Sequence, residues 1–453
     1  MVHDNSSLMT EGPIWRHILI FSIPLIIGNL FQQMYNTVDT LVIGNFLGGN
    51  ALASVGAGTT IIHLMLSLFA GLATGAGVVI AQFFGAGNEE GVGRAVQTSA
   101  AFTVAAGLCM TVVWILLSGP ILRLIGTPEE VMRDARVYLQ IYFGGMLPLL
   151  IYNMGAAVLR AVGDSRTPLY YLAVAMVANT VLDLVFVVWF GWGVEGVAVA
   201  TLIAQTIAAW LVIRKLAAAD GPYRLDVRAM RIEPAILLRI LRVGVPAGLQ
   251  QTLMGISNLV VQSFINAFGT SVMAAWNVFN KLDGVIILPC LSFGLAVTTF
   301  TGQNFGAGKR ARIFEGMKTG LKMSVSLSIV VSFLFYVFAD NLFVLFSKDP
   351  AVLEFGMRIL RGMTPFYFIV AAMYVFSGVI NGAGYSFATM IIMLFNLCIV
   401  RIAFLQLVSR ITPEIDVVFL AYIVSWTMCS LGLFAYYKKG RWRRALETVV
   451  ESE

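Results

Sequence analysis

The chain is a succession of about twelve apolar runs, each long enough to cross a bilayer, and this pattern leaves few folds open. A hydrocarbon core about 30 Å thick needs roughly twenty apolar residues in a helix, with every backbone N–H and C=O paired inside the segment. Splitting the runs at Gly, Pro and charge clusters gives spans at 17–46, 51–83, 93–118, 132–160, 168–190, 195–213, 238–267, 272–304, 317–339, 355–381, 387–408 and 416–437. Charged residues make up only 12% of the 453, about half the share of a soluble domain, and no polar stretch is long enough to form one. The expected fold is an all-α polytopic membrane protein. The polar stretch Met1 to Arg16 lacks a signal-peptide design, so the first helix is expected to stay and act as its own insertion signal.

Lys and Arg set the orientation. With the N-terminus in the cytoplasm, twenty-one of the thirty fall in inside segments, seven outside, and Lys281 and Arg401 within spans. That threefold bias places both termini inside, in the cell (inner or plasma) membrane. The net charge of +6 is thereby explained by topology, and no nucleic-acid partner is implied. Cys109, Cys290, Cys398 and Cys429 lie in apolar spans without pairing or metal spacing and read as small buried hydrophobes.

The chain repeats itself. Gln82-Phe-Phe-Gly-Ala-Gly87 returns as Gln303-Asn-Phe-Gly-Ala-Gly308, and Pro24 returns as Pro246. Phe46-Leu-Gly48 returns as Phe268-Gly269, and Arg160-Ala-Val-Gly163 as Asn381-Gly-Ala-Gly384. Two six-span halves with the same orientation are a transporter design. The expected organisation is an N-lobe at 1–213, a basic cytoplasmic linker at 214–237, a C-lobe at 238–437 and a basic then acidic cytoplasmic tail at 438–453.

Inside the spans polar groups are few. Gln32, Tyr35, Asn36 and Asp39 form one stripe on the first helix, which Pro24 weakens by removing a backbone donor. Asn179 and Asp183 share a face of span five, and Thr201 lies in span six. Together Asp39, Asn179, Asp183 and Thr201 could form an oxygen-rich pocket for Na+, or one that takes a proton when dry. An acid at mid-membrane costs roughly 2.5–3.5 kcal/mol on insertion scales, which favours a working role over mere packing. Candidates for a substrate cavity are Gln32, Tyr35, Asn36 and Asn153 in the first half, and Gln251, Asn258, Asp283 and Arg401 in the second. Arg401 could pair with Asp283. His63 reads as a hydrogen-bonded structural histidine, with proton relay the alternative. Lys281 is expected to snorkel outward. There is no P-loop, no His/Cys metal cluster and no nucleophile motif, so neither ATP-driven transport nor an enzyme is expected.

These residues resemble the multidrug and toxic compound extrusion (MATE) family. The resemblance rests on Pro24 with Tyr35-Asn-Thr-Val-Asp39, the twinned Gln-x-Phe-Gly-Ala-Gly segments, Arg160-Ala-Val-Gly-Asp164, Asn179-Thr-Val-Leu-Asp183 and Gly191-Trp-Gly-Val-Glu-Gly196. It covers nearly the whole chain. It implies two pseudo-symmetric six-helix bundles facing a central cavity, and alternating access driven by a cation gradient. It also implies cationic amphiphilic drugs as substrates. Pro24 matches the family's bending proline. Asp39, Asn179, Asp183 and Thr201 match its N-lobe cation site. Some members carry acids in the first and fourth C-lobe helices. This chain has Met254 near the first position and no interior acid in span ten, which points to the N-lobe.

The expected activity is multidrug antiport against H+ or Na+, by a monomer in contact with lipid and with no cofactor beyond the coupling ion. The rival is a flippase for lipids or lipid-linked oligosaccharides. That activity would need a cavity rich in Arg and Lys, and only Lys281 and Arg401 lie in spans.

Overall fold

The computed structural model describes residues 8–411 and 414–445, the side chains of Thr60 and Leu64 excepted. The acidic end of the expected tail, 446–453, lies outside the described residues. Every described element is helical. The first half comprises α1 (Ile14–Val42), α2 (Gly49–Gly85), α3 (Glu89–Leu124), α4 (Glu129–Gly144), α5 (Met146–Ala161), α6 (Arg166–Asp183) and α7 (Val194–Ala217). The second comprises α8 (Pro234–Asn266), α9 (Thr270–Ile286), α10 (Leu288–Gly306), α11 (Arg310–Val337), α12 (Ala339–Val344), α13 (Pro350–Met363), α14 (Tyr367–Gly382), α15 (Ser386–Leu394), α16 (Arg401–Val408) and α17 (Asp416–Lys439).

Among the described residues, ten helical segments are long and apolar enough to cross a membrane, or eleven if α4 and α5, bent by 46° at Gly145, count as one span. The segment missing from that set is α8. It is 33 residues long, but its row of amides, Gln250, Gln251, Asn258, Gln262 and Asn266, lowers its apolarity.

The repeated glycines now have a physical reason. Gly48, Gly87 and Gly163 take φ of +84°, +66° and +92°, and their counterparts Gly269, Gly308 and Gly384 take +96°, +64° and +90°. Each stands where a helix ends, in the left-handed region that costs a residue with a Cβ about 1–2 kcal/mol. Beyond Gly87, Asn88 N donates to Phe83 O at 3.0 Å, and beyond Gly308, Lys309 N donates to Asn304 O at 2.9 Å, the reverse turn that satisfies the last carbonyls of a helix. The twinned glutamines anchor the approach to a long helix. Gln82 Oε1 accepts from Arg239 Nη2 at 2.7 Å, in the second turn of α8. Gln303 Oε1 accepts from Met9 N at 2.7 Å, just before α1.

The chain packs as two units. Of the described residues, one holds Ile27–Gly244 and the other Met9–Ile26 with those from Val245 onward. The boundaries fall within three residues of Pro24 and Pro246, so α1 and α8 are each divided between units near their proline. In the first unit, apolar residues of α2, α3, α5 and α7 close around Ile80, Val96, Leu159 and Val212. In the second, Phe293, Phe300, Tyr367 and Trp442 are among the largest buried side chains. The linker between α7 and α8 packs on the first unit, with Tyr223 and Leu225 buried in its core. Glu233 ends this linker beside Arg94, which donates to it, and that guanidinium holds the carboxyl below the usual range. Cys290 and Cys429 are buried as expected, but Cys109 is exposed on α3. An apolar span does not reveal which face of its helix turns outward.

Candidate functional site

Four helices of the first unit each contribute two polar residues four apart, which places each pair on one face. They are Tyr35 and Asp39 on α1, Tyr138 and Tyr142 on α4, Asn179 and Asp183 on α6, and Thr201 and Gln205 on α7. All but the α6 pair line a cavity of about 390 Å³. Gln32, Asn36 and Asn153 also open onto it. The α6 pair lies beneath, and both residues are fully buried.

The contacts form one network. Tyr35 Oη donates to Thr201 Oγ1 at 3.2 Å. The Asn179 amide is oriented so that both of its polar atoms find partners. Its Nδ2 then donates to Asp39 Oδ1 at 2.8 Å and to Asp183 Oδ2 at 3.3 Å. Its other polar atom lies 3.5 Å from Thr201 Oγ1. Two carboxylates on one nitrogen are close neighbours. Asp183 Oδ1 is buried and meets no donor. An unsatisfied buried acceptor costs about 1–3 kcal/mol, and more when it is charged. No Lys or Arg lines this cavity. A proton or a small cation is what this surplus of acceptors can take up.

Local structure positions Asp183. It ends α6, and a π-helical turn, Leu184–Trp189, follows at once. Phe186 stacks on Trp192 at 4.9 Å, and Trp192 N donates to Phe186 O at 2.9 Å. Gly191 turns between them at a φ of +68°. The segment Gly191-Trp-Gly thus folds back on the π turn directly above the acid. Asp164 is structural: its Oδ1 accepts from Arg166 N and Thr167 N at 3.1 and 3.0 Å, capping α6.

The second unit has its own cavity, of about 310 Å³, which Asn258, Asp283 and Arg401 line. Gln251 is exposed and is not among its lining. The expected pairing of Arg401 with Asp283 is not made. Asp283 Oδ1 accepts from Tyr367 Oη, while Arg401 Nε donates to Ser425 Oγ at 3.1 Å. Sequence spacing cannot distinguish two charges that share a cavity from two that touch.

His63 also departs from expectation. It opens onto the first cavity, and among the described residues its ring makes no hydrogen bond. Lys281 is exposed, its Nζ 5.6 Å from the centre of the Phe346 ring. Tyr138, Tyr142 and Gln205 were not anticipated. Gln205 could have been found from its spacing to Thr201. The tyrosines resemble ordinary interface anchors.

The MatE family model matches residues 24–185 and 246–406, once in each half of the chain. This chain belongs to the MatE family. The probable multidrug resistance protein YpnP of Bacillus subtilis is 31% identical over 439 residues, covering 96% of this chain and 97% of its own. The multidrug export protein MepA of Staphylococcus aureus is 22% identical over 375 residues, 83% of each chain. Among solved structures, the outward-facing conformation of a multidrug resistance MATE family transporter aligns with a TM-score of 0.92. It covers 98% of this chain and 99% of its own at 23% identity, a likeness of fold. The MatE family is one of transporters, so the chain is a multi-pass membrane transporter and not an enzyme.

Proposed function

We propose that this MatE protein is a secondary antiporter that exports cationic amphiphilic compounds across the cell membrane in exchange for H+ or Na+, with both termini cytoplasmic. The observation that carries the reading is Asp183 Oδ1, unpartnered among the described residues beside Asp39 and Asn179 and buried under a cavity free of Lys and Arg. The coupling ion enters from outside and neutralises the carboxylates. The network that ties Tyr35 and Asp39 of α1 to Asn179, Asp183 and Thr201 then rearranges, and α1 bends at Pro24. Cargo leaves as the first cavity changes shape. Coupling requires that each conformation prefer a different occupant.

The Asn179 amide bears on which ion is used. With Nδ2 toward the acids it suits two carboxylates sharing a proton. With Oδ1 toward them it would complete an oxygen cage for Na+. A flippase for lipid-linked pyrophosphates fits less well, because the first cavity offers no Lys or Arg to hold phosphate. Asp39→Asn should abolish gradient-driven efflux of a cationic dye from proteoliposomes while the protein still inserts. Efflux at the wild-type rate would refute the assignment.

A further inference from the structure

The cavity of the second unit holds a buried positive charge that no acid neutralises at contact. Arg401 is 4% exposed. It opens α16 directly after a π-helical turn, Phe395–Val400, a distortion often found at working sites. Its guanidinium carbon lies 4.0 Å from the centre of the Tyr422 ring. Ser425 accepts from its Nε at 3.1 Å and itself donates to Tyr422 O at 2.9 Å. The fork is therefore held over the ring. Among the described residues nothing accepts from Nη1 or Nη2, and the side chain lines the cavity. Those two nitrogens are left for acceptors that a ligand in the cavity would bring. Asp283 lines the same cavity, with Oδ1 occupied by Tyr367 and, among the described residues, no hydrogen-bond partner on Oδ2. Trp276, Tyr422 and Trp426 form a continuous aromatic wall, with ring centres 5.9 and 5.6 Å apart.

We propose that this cavity is a second ligand site, for a zwitterionic aromatic compound. The ligand's carboxylate lies on the Arg401 fork, its ammonium at Asp283 and its ring against the aromatic wall. A planar fork recognises a carboxylate through two parallel bonds. The volume, about 310 Å³, suits a ligand of one or two rings. The two units then differ in selectivity. The first cavity, without Lys or Arg, takes cations, and the second takes molecules that carry both signs. This goes beyond the antiport reading and does not depend on it, because binding needs no gradient.

The test uses the full chain in lipid nanodiscs with three tritiated probes sharing one ring system: L-tryptophan, tryptamine and indole-3-propionate. L-Tryptophan should bind about tenfold or more tightly than either singly charged probe. Arg401→Gln should erase its advantage over tryptamine, and Asp283→Asn its advantage over indole-3-propionate. All binding is measured with excess unlabelled tetraphenylphosphonium, a cation without a carboxylate, which occupies the first cavity and should leave the order unchanged. Should Arg401→Gln fail to fold, the order of the probes on the wild-type protein under that block still decides. Equal affinity for all three, no binding of any, or loss of the preference under that block would each overturn the proposal.

Discussion

Asn179 is the residue on which the first cavity's chemistry turns, since it touches both carboxylates and lies within 3.5 Å of Thr201 Oγ1. Asn179→Ala should leave Asp39 and Asp183 without their common donor. Dye binding should persist while dye efflux per imposed gradient falls, read as binding and flux on one preparation. Tyr35→Phe removes a single hydrogen bond to Thr201. A neutral hydrogen bond is worth about 0.5–1.5 kcal/mol, so cargo affinity should weaken by no more than about tenfold. The cluster of Asp39, Asn179, Asp183 and Thr201 was legible in the sequence because acids and amides stand out in apolar spans, and a spacing of four puts them on one face. What could not be read is how charges divide among partners. Asp283 chose Tyr367 and Arg401 chose Ser425 and Tyr422, choices made by packing between helices distant in sequence.

At the scale of elements, close helix contacts depend on missing side chains. A Cβ on Gly382 would lie 2.4 Å from Thr298 O, a backbone atom of α10 that cannot yield cheaply. Gly382→Leu should force α10 and α14 apart and lower the apparent melting temperature in detergent, or abolish monodisperse protein. Gly255→Ala meets nothing within 4 Å and should hold or raise stability by about 0.5–1 kcal/mol, as expected for Gly→Ala in a helix. The linker gives a prediction with a sign in pH. The Glu233 carboxyl is held below its usual range by Arg94. The contact therefore contributes fully above the carboxyl's unfolded pKa and is lost as pH falls through its lowered folded value. Pepsin should cut the linker faster as pH drops from about 5 to about 3, and Glu233→Gln should be cut readily throughout. Some spans were legible to within two residues, as helices 49–85 and 386–408 answer runs read at 51–83 and 387–408, while α11 starts seven residues before the run read from 317, its first turns being charged. The break in α4–α5 and the π turns were not, because they arise from backbone hydrogen bonding rather than hydrophobic pattern.

For the molecule as a whole, the repeat read in the sequence reappears as matched helix ends, where Gly87 and Gly308 turn alike and Gln82 and Gln303 hold the approaches to α8 and α1. The halves share a frame and differ in charge. Two acids meet under the first cavity, while an acid and a guanidinium line the second. That asymmetry supports the proposal that ion coupling lies in the first half. The most direct test is to load proteoliposomes with a cationic dye and record ion movement as the dye crosses, following pH and sodium separately. Wild-type protein should move one of these ions opposite to the dye, and Asp39→Asn/Asp183→Asn should move neither. Undiminished counter-movement in that double variant would contradict the account.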